Sequence, residues 1–225
     1  MSQFDEMPPF PLQTELVERS VSLEAIADRV AKRAGSLSEV FAGLGSAMPR
    51  VKYGCLKVLR IISENTPAVL YPNFDQFVHL LDSENNILKW GGIIIIGNLA
   101  AVDSDNKIDG ILERYLEPIS GPVMITAANT IRGAGKIASA KPRFADKIVR
   151  ALLQVEAANF QTPECRNVAL GHVLQSLDLF FEQIRDPQPV VAFVERQRRN
   201  RRNAVQRRAT AFLKKYPKSA QTGGS

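Results

Sequence analysis

Few residues in this 225-residue chain have the type and spacing that catalysis needs. Cys165 and His172 fall on one face of a stretch with helical periodicity, two turns apart, which separates them by about 10 Å along the axis. A thiolate and its general base must come within hydrogen-bond reach, so this pair is not a nucleophilic dyad. The chain holds two histidines and two cysteines, in no spacing recognised for zinc, and His79 sits among Phe77, Val78, Leu80 and Leu81. Gly133-Ala134-Gly135-Lys136 resembles a phosphate loop for four residues only. Thr130 occupies the first glycine position and Ile137 the Ser/Thr position, so small residues for close helix packing account for it better. The expectation is a chain with no catalytic residues, no metal and no cofactor.

Charge is the stronger signal. The chain has 29 Lys and Arg against 23 Asp and Glu, a net of +6. Arg196, Arg198, Arg199, Arg201, Arg202, Arg207, Arg208, Lys214, Lys215 and Lys218 all follow Val194, against Glu195 alone. Without that segment acidic residues outnumber basic ones. Arginine makes paired hydrogen bonds to phosphates and carboxylates, and the first nine of these ten residues form the candidate binding set for an anion or partner. A capping segment needs polarity but not one sign of charge. Nucleic-acid phosphate and an acidic protein surface both fit. A membrane surface fits poorly, because Glu195 to Asn203 has no apolar residue. No aromatic residue interrupts the arginines before Phe212, which argues for backbone contact rather than base stacking.

What positions such residues is a repeat. Asn86 to Asp103, NILKWGGIIIIGNLAAVD, is the most apolar stretch, and Ile87, Leu88, Gly91, Ile94, Ile95, Asn98, Leu99 and Val102 share one helical face. Four consecutive isoleucines also permit a buried strand. The register decides for a helix. Pro49, Asn86, Pro122 and Pro163 begin segments that line up at intervals of roughly 40 residues, the length of a helix-pair repeat. Proline suits a first helical turn, where its missing N–H has no intrahelical partner anyway. Small pairs follow at Gly54-Cys55, Gly91-Gly92 and Ala127-Ala128. Val58, Ile95, Ile131 and His172 share a later level. A second helix follows in each unit, carrying Phe74, Phe77, Val78 and Leu81, then Ile108, Ile111, Leu112 and Tyr115, then Phe144, Ile148, Leu152 and Val155.

On these features, over about residues 49 to 190, the chain resembles the HEAT-repeat (armadillo-type) family. The resemblance implies an all-α fold, an α-solenoid wound as a right-handed superhelix of HEAT-like helix pairs, that works as a protein-binding scaffold without enzymatic activity. Its partner would lie along the groove lined by the second helices. HEAT-like DNA glycosylases are similar in length and repeat type, but Trp90 sits at a repeat-core position and the basic charge is terminal, so no catalytic residue carries over.

The expected domains are an extended Pro-containing arm at 1–20, the HEAT-like solenoid at 21–189, a basic helix at 190–216 and a flexible tail at 217–225. Ser22 is expected to cap a helix through Ala31, and Ser36 with Glu39 to form a capping box. The longest apolar run is too short to span a membrane. The first basic residue, Arg19, follows Asp5, Glu6, Glu15 and Glu18, which contradicts a secretory or mitochondrial leader, and the expected location is cytoplasmic. Ile95→Asp is expected to abolish cooperative folding. An unpaired buried carboxylate costs several kcal/mol, against a total stability of about 5–15 kcal/mol. Circular dichroism melting checks this, and an unchanged melt would place Ile95 outside the core.

Overall fold

The computed structural model describes residues 12–18, 21–33 and 35–217, and these form helices and no strand. Phe4, Pro8, Pro9, Phe10 and Pro11 of the expected arm, and residues 218–225, lie outside the described residues. The chain divides into two units, the first ending at Pro72 and the second beginning at Asn73.

The first unit contains α1 (Leu12–Glu18), α2 (Leu23–Lys32), α3 (Ser36–Gly43), α4 (Pro49–Asn65) and α5 (Pro67–Leu70). Part of the expected extended arm is thus helical. Beyond Pro11 nothing breaks a helix, and Leu12 and Leu16, one turn apart, are both buried. Leu16 packs on Gly54 of α4, where a Cβ would collide with its methyls. Glu15 pairs with Arg29 of α2, and Arg50 Nη1 donates to Val17 O at 2.6 Å. Ser22 caps α2 as expected, its Oγ accepting from Ala25 N at 3.2 Å. The expected capping box is not formed. Gly35, in the left-handed region at φ 81°, precedes α3, and the Ser36 hydroxyl is buried without a hydrogen-bond partner among the described residues.

The second unit contains α6 (Phe74–Leu80), α7 (Asn86–Leu99), α8 (Leu112–Leu116), α9 (Met124–Ala140), α10 (Ala145–Leu153), α11 (Pro163–Phe180), α12 (Gln188–Gln197) and α13 (Asn203–Lys215). Long helices α7, α9, α11 and α13 alternate with short ones. Successive long helices pack on one another, α7 on α9, α9 on α11 and α11 on α13. The short helices form a second layer, with α6 on α7, α8 on α9, and α12 on α13. The isoleucine run is a helix, with Ile93, Ile95, Ile96 and Leu99 fully buried. Its cap is Asn85, one residue ahead of the aligned start at Asn86. Asn85 Oδ1 accepts from Ile87 N at 3.0 Å and Leu88 N at 3.2 Å. Pro163 opens α11 as expected, but Pro122 does not open α9, which starts at Met124. With that shift the long helices of the chain start at Pro49, Asn86, Met124, Pro163 and Asn203, each interval one residue longer than the last.

Glycines set the spacing between long helices. A Cβ on Gly97 would press on the backbone of Gly133, and one on Gly135 would press on Ser176. The fully buried Tyr115 of α8 reaches between α7 and α9, its hydroxyl donating to Ile93 O at 2.9 Å. Ser176 Oγ donates to Ile131 O, also at 2.9 Å.

The single basic helix expected at 190–216 is two helices. In the turn between them, Gln197 Nε2 donates to Glu156 Oε1, Asn200 Nδ2 to Gln197 Oε1, and Gln206 Nε2 to Asn200 O. The apolar-free run from Glu195 to Asn203 contains that turn, so it never has to expose a whole helix circumference. Val190, Phe193 and Val194 of α12 and Val205, Ala209 and Phe212 of α13 are buried, which makes these two helices a further repeat pair.

Gly133→Ala is expected to destabilise the second unit by about 1–3 kcal/mol, because its methyl must overlap the Tyr115 hydroxyl. Adding Tyr115→Phe removes the overlapping oxygen and should restore part of the loss. Chemical denaturation of both single variants and the double variant checks that coupling.

Candidate functional site

The basic residues expected to bind a partner are divided by the structure into two groups. Arg196 grips Glu156 with Nε and Nη2, at 3.0 and 2.7 Å, and this hydrogen bonding holds its guanidinium pKa above the ordinary value. Arg202 pairs with Glu164, and that hydrogen bond, helped by Asn167, lowers the Glu164 carboxyl below the usual range. Lys215 Nζ lies 2.8 Å from Asp178 Oδ1, and Tyr216 Oη donates to the same oxygen at 3.0 Å. The Asp178 hydrogen bond, then that of Tyr216, raises the Lys215 pKa. Arg198 pairs locally with Glu195 at 3.0 Å. Arg208 Nη1 donates to Gly171 O at 3.3 Å. Arg199, Arg201, Arg207 and Lys214 are exposed. Much of the basic segment therefore docks α12 and α13 onto the preceding pair. The docking is completed by an aromatic cluster in which the Phe181 ring lies 5.0 Å from Phe212 and 4.3 Å from Tyr216.

Pairing also dominates the short-helix layer. Asp75 pairs with Lys107, Asp82 with Arg114, Asp109 with Arg143, Glu113 with Lys147, Asp146 with Arg185, and Glu156 with Arg196. Its exposed charges are largely satisfied within the fold.

The outer face of the long helices is different. Ile87 and Ile125 are 41% and 46% exposed near the starts of α7 and α9, and Leu179 near the end of α11 is 54% exposed. Trp90 and Ile94 are half-buried between them, the indole Nε1 donating to Thr126 Oγ1 at 2.9 Å. One turn beyond Ile94, Asn98 Oδ1 accepts from Lys136 Nζ. Arg132 of α9 is exposed, its guanidinium donating to Asn129 Oδ1. On α11, His172 is half-buried and its Nδ1 has no hydrogen-bond partner among the described residues. Burial lowers the His172 pKa, the charges of Arg132 and Arg208 lower it further, and a hydrogen bond with Gln175 opposes them. Beside these residues a cleft of about 220 Å³ opens between α11 and α13, lined by Gln175, Asp178, Arg208, Phe212 and Lys215. Arg132, His172 and Arg208 thus come together from three successive long helices.

Of this row only Arg208 belongs to the expected binding set. Arg132 and His172 were legible as polar residues recurring at the repeat interval after Ile94, a signal obscured by the two-residue displacement of α9. The other sequence candidates form no site. Cys165 lies in the first turn of α11, where Thr162 Oγ1 accepts from its N–H, and Gly133 to Lys136 lie within α9. Cys55 is buried, which pushes its thiol pKa up to about 11. Among the described residues no cluster of His, Cys, Asp or Glu could hold a metal, and no helix is long and apolar enough to cross a membrane.

The chain is similar to a designed armadillo repeat protein, YIII(Dq)4CqI, at 19% identity and a TM-score of 0.62, over 93% of this chain and 95% of that one. It is also similar to an engineered protein of known crystal structure at 13% identity and a TM-score of 0.53, over 96% and 98% of the two chains. No protein-family model and no curated protein matches the chain. At these identities the likeness concerns fold alone, an all-α solenoid of armadillo/HEAT-like repeats.

Because the fold favours neutral His172, stability present above pH 6.5 is expected to fall as pH drops below it. By NMR titration His172 should protonate below pH 6.5, and Arg132→Gln should move its midpoint upward.

Proposed function

We propose that this chain is a non-enzymatic scaffold for protein–protein interaction that takes an extended partner segment across the outer face of α7, α9, α11 and α13. The observation that carries this reading is the contrast between the two layers. Many charges of the short-helix layer are paired with one another, whereas the long-helix face presents exposed Ile87, Ile125 and Leu179 beside exposed Arg132 and half-buried His172. On this reading the partner lies along the long helices, an alternative to the groove of the second helices that the sequence suggested. The repeat fold supports the reading, since stacked pairs build a continuous surface suited to extended ligands.

A second reading is favoured by Arg199, Arg201, Arg207 and Lys214, which are exposed and belong to no ion pair among the described residues. Arg207 and Lys214, two turns apart, share one face of α13. Nucleic-acid backbone phosphate would meet these cations without base specificity and with strong salt dependence.

Peptide display on the immobilised full chain tests the first reading. Selected peptides are expected to compete with one another and to lose binding in Ile94→Lys and Trp90→Ala, while a combined Arg199→Glu, Arg207→Glu variant binds them normally. Failure to select any peptide, together with salt-sensitive oligonucleotide binding that the Arg199→Glu, Arg207→Glu variant abolishes, would transfer the function to the second reading.

A further inference from the structure

Arg132, His172 and Arg208 are contributed by α9, α11 and α13, and the same row continues on α7 as Ile94. The register between α7 and α9 is fixed by two contacts on this face, Trp90 Nε1 to Thr126 Oγ1 and Lys136 Nζ to Asn98 Oδ1, with Ile94 one turn from each α7 residue. The register between α9 and α11 is fixed by Ser176 Oγ to Ile131 O, next in sequence to Arg132 and one turn beyond His172. Between α11 and α13 it is fixed by Arg208 Nη1 to Gly171 O, next in sequence to His172. Four successive helices therefore present an aliphatic side chain, a guanidinium, an imidazole and a second guanidinium in line.

Resting on the scaffold reading, we infer that this row is a carboxylate-recognition track for an acidic protein segment, with Ile94 and the adjoining Ile87 and Ile125 receiving an aliphatic residue at one end. Arg132 and Arg208 each have planar donors suited to a carboxylate. Between them the half-buried His172 ring feels the charge of both guanidinium groups. Helices packed side by side are about 8–10 Å apart, and an extended chain advances about 3.3–3.6 Å per residue. A segment crossing the row thus meets a new helix about every three residues. The matching ligand carries an aliphatic residue followed by acidic residues at three-residue spacing.

An extended protein segment fits this row better than a nucleic-acid strand. Exposed Ile87, Ile125 and Leu179 border it, where a phosphate backbone would require continuous positive charge. The one large aromatic ring nearby, Trp90, is half-buried and its indole N–H is held by Thr126, so it offers no stacking platform. The groups acting on His172 are Arg132 from α9, Arg208 from α13 and Gln175 on its own helix. A carboxylate placed among them favours the protonated ring, so binding strengthens as pH falls from 7.5 to 5.5.

The test is fluorescence anisotropy of the full chain with a labelled peptide of one leucine and three glutamates at three-residue spacing, joined by serines. A version with glutamine for glutamate and a single-stranded oligonucleotide of similar length complete the set. The glutamate peptide is expected to bind, more tightly at pH 5.5, and the glutamine peptide not to. Arg132→Gln, His172→Gln and Arg208→Gln should each weaken binding about tenfold, as loss of one charge-assisted hydrogen bond implies. His172→Gln should also abolish the pH dependence. Arg132→Glu should lose the peptide and recover binding when the facing glutamate is replaced by lysine, a rescue that misfolding cannot produce. Equal binding of the glutamine peptide, unchanged affinity in the three variants, or tighter oligonucleotide binding through the same residues would overturn the inference. Display-selected peptides that bind independently of Arg132, His172 and Arg208 would overturn it while leaving the scaffold reading intact. If neither designed nor selected peptides bind, both fall.

Discussion

Close approach between successive long helices is the constraint on which the second unit depends. A single helix pair cannot bury its apolar faces, and stacking succeeds only if neighbouring backbones come near enough to exclude gaps. Gly97 against Gly133 and Gly135 against Ser176 provide that nearness. The Tyr115 ring fills the remaining space, and its hydroxyl is satisfied by Ile93 O. The same contacts fix the rotation of each long helix about its axis. Buried faces that mesh in one register leave outer faces aligned in the corresponding one, so the row from Ile94 to Arg208 is a consequence of the packing beneath it.

Ion pairs between repeats have a consistent direction. In Asp75–Lys107, Asp103–Lys141, Glu113–Lys147, Glu156–Arg196, Glu164–Arg202 and Asp178–Lys215, the acid lies in the earlier element and the base in the later one. Each exposed pair adds little stability by itself. Repetition along the stack nevertheless favours the native order of neighbours, because a reversed or slipped pair would bring like charges together. The pattern also explains a composition that capping alone leaves unexplained. Part of the basic charge of α12–α13 is there because Arg196, Arg202 and Lys215 face the acids of the pair before it. Its other edge offers no matching acids, since Glu195 is already paired with Arg198.

Much of the fold was legible in the sequence, since apolar periodicity and repeat length are properties of the chain itself. Phe74, Phe77, Ile95, Ile148 and Leu152 are buried where the pattern put them. Local signals were less decisive. Pro122 has the chemistry of a helix start, but the chain runs two residues further before α9 begins, and Ser36 and Glu39 have the spacing of a capping box that Gly35 replaces. The arginine-rich segment read as one helix because periodicity is silent over a stretch without apolar residues. Hydrogen bonds among Gln197, Asn200 and Gln206 make it a turn. Partners of Arg196, Arg202 and Lys215 were invisible for a different reason: they are a full repeat away, and charge counted along a segment ignores them. The row of Arg132, His172 and Arg208 required the correct register, which only packed helices supply.

The presence of histidine rather than a third arginine in that row follows from what an empty site must tolerate. A half-buried guanidinium between two others would carry its desolvation cost and the repulsion of both neighbours whenever no ligand is bound. Imidazole escapes both by remaining neutral, as the lowering of its pKa by burial and by Arg132 and Arg208 indicates. When a carboxylate enters, the same two arginines are neutralised and the ring has reason to take up a proton, so the third positive charge is present only with its counter-charge. With a carboxylate bound as inferred, the free energy that depresses the His172 pKa in the free chain is recovered as a preference for anionic ligands, one that increases as the pH falls.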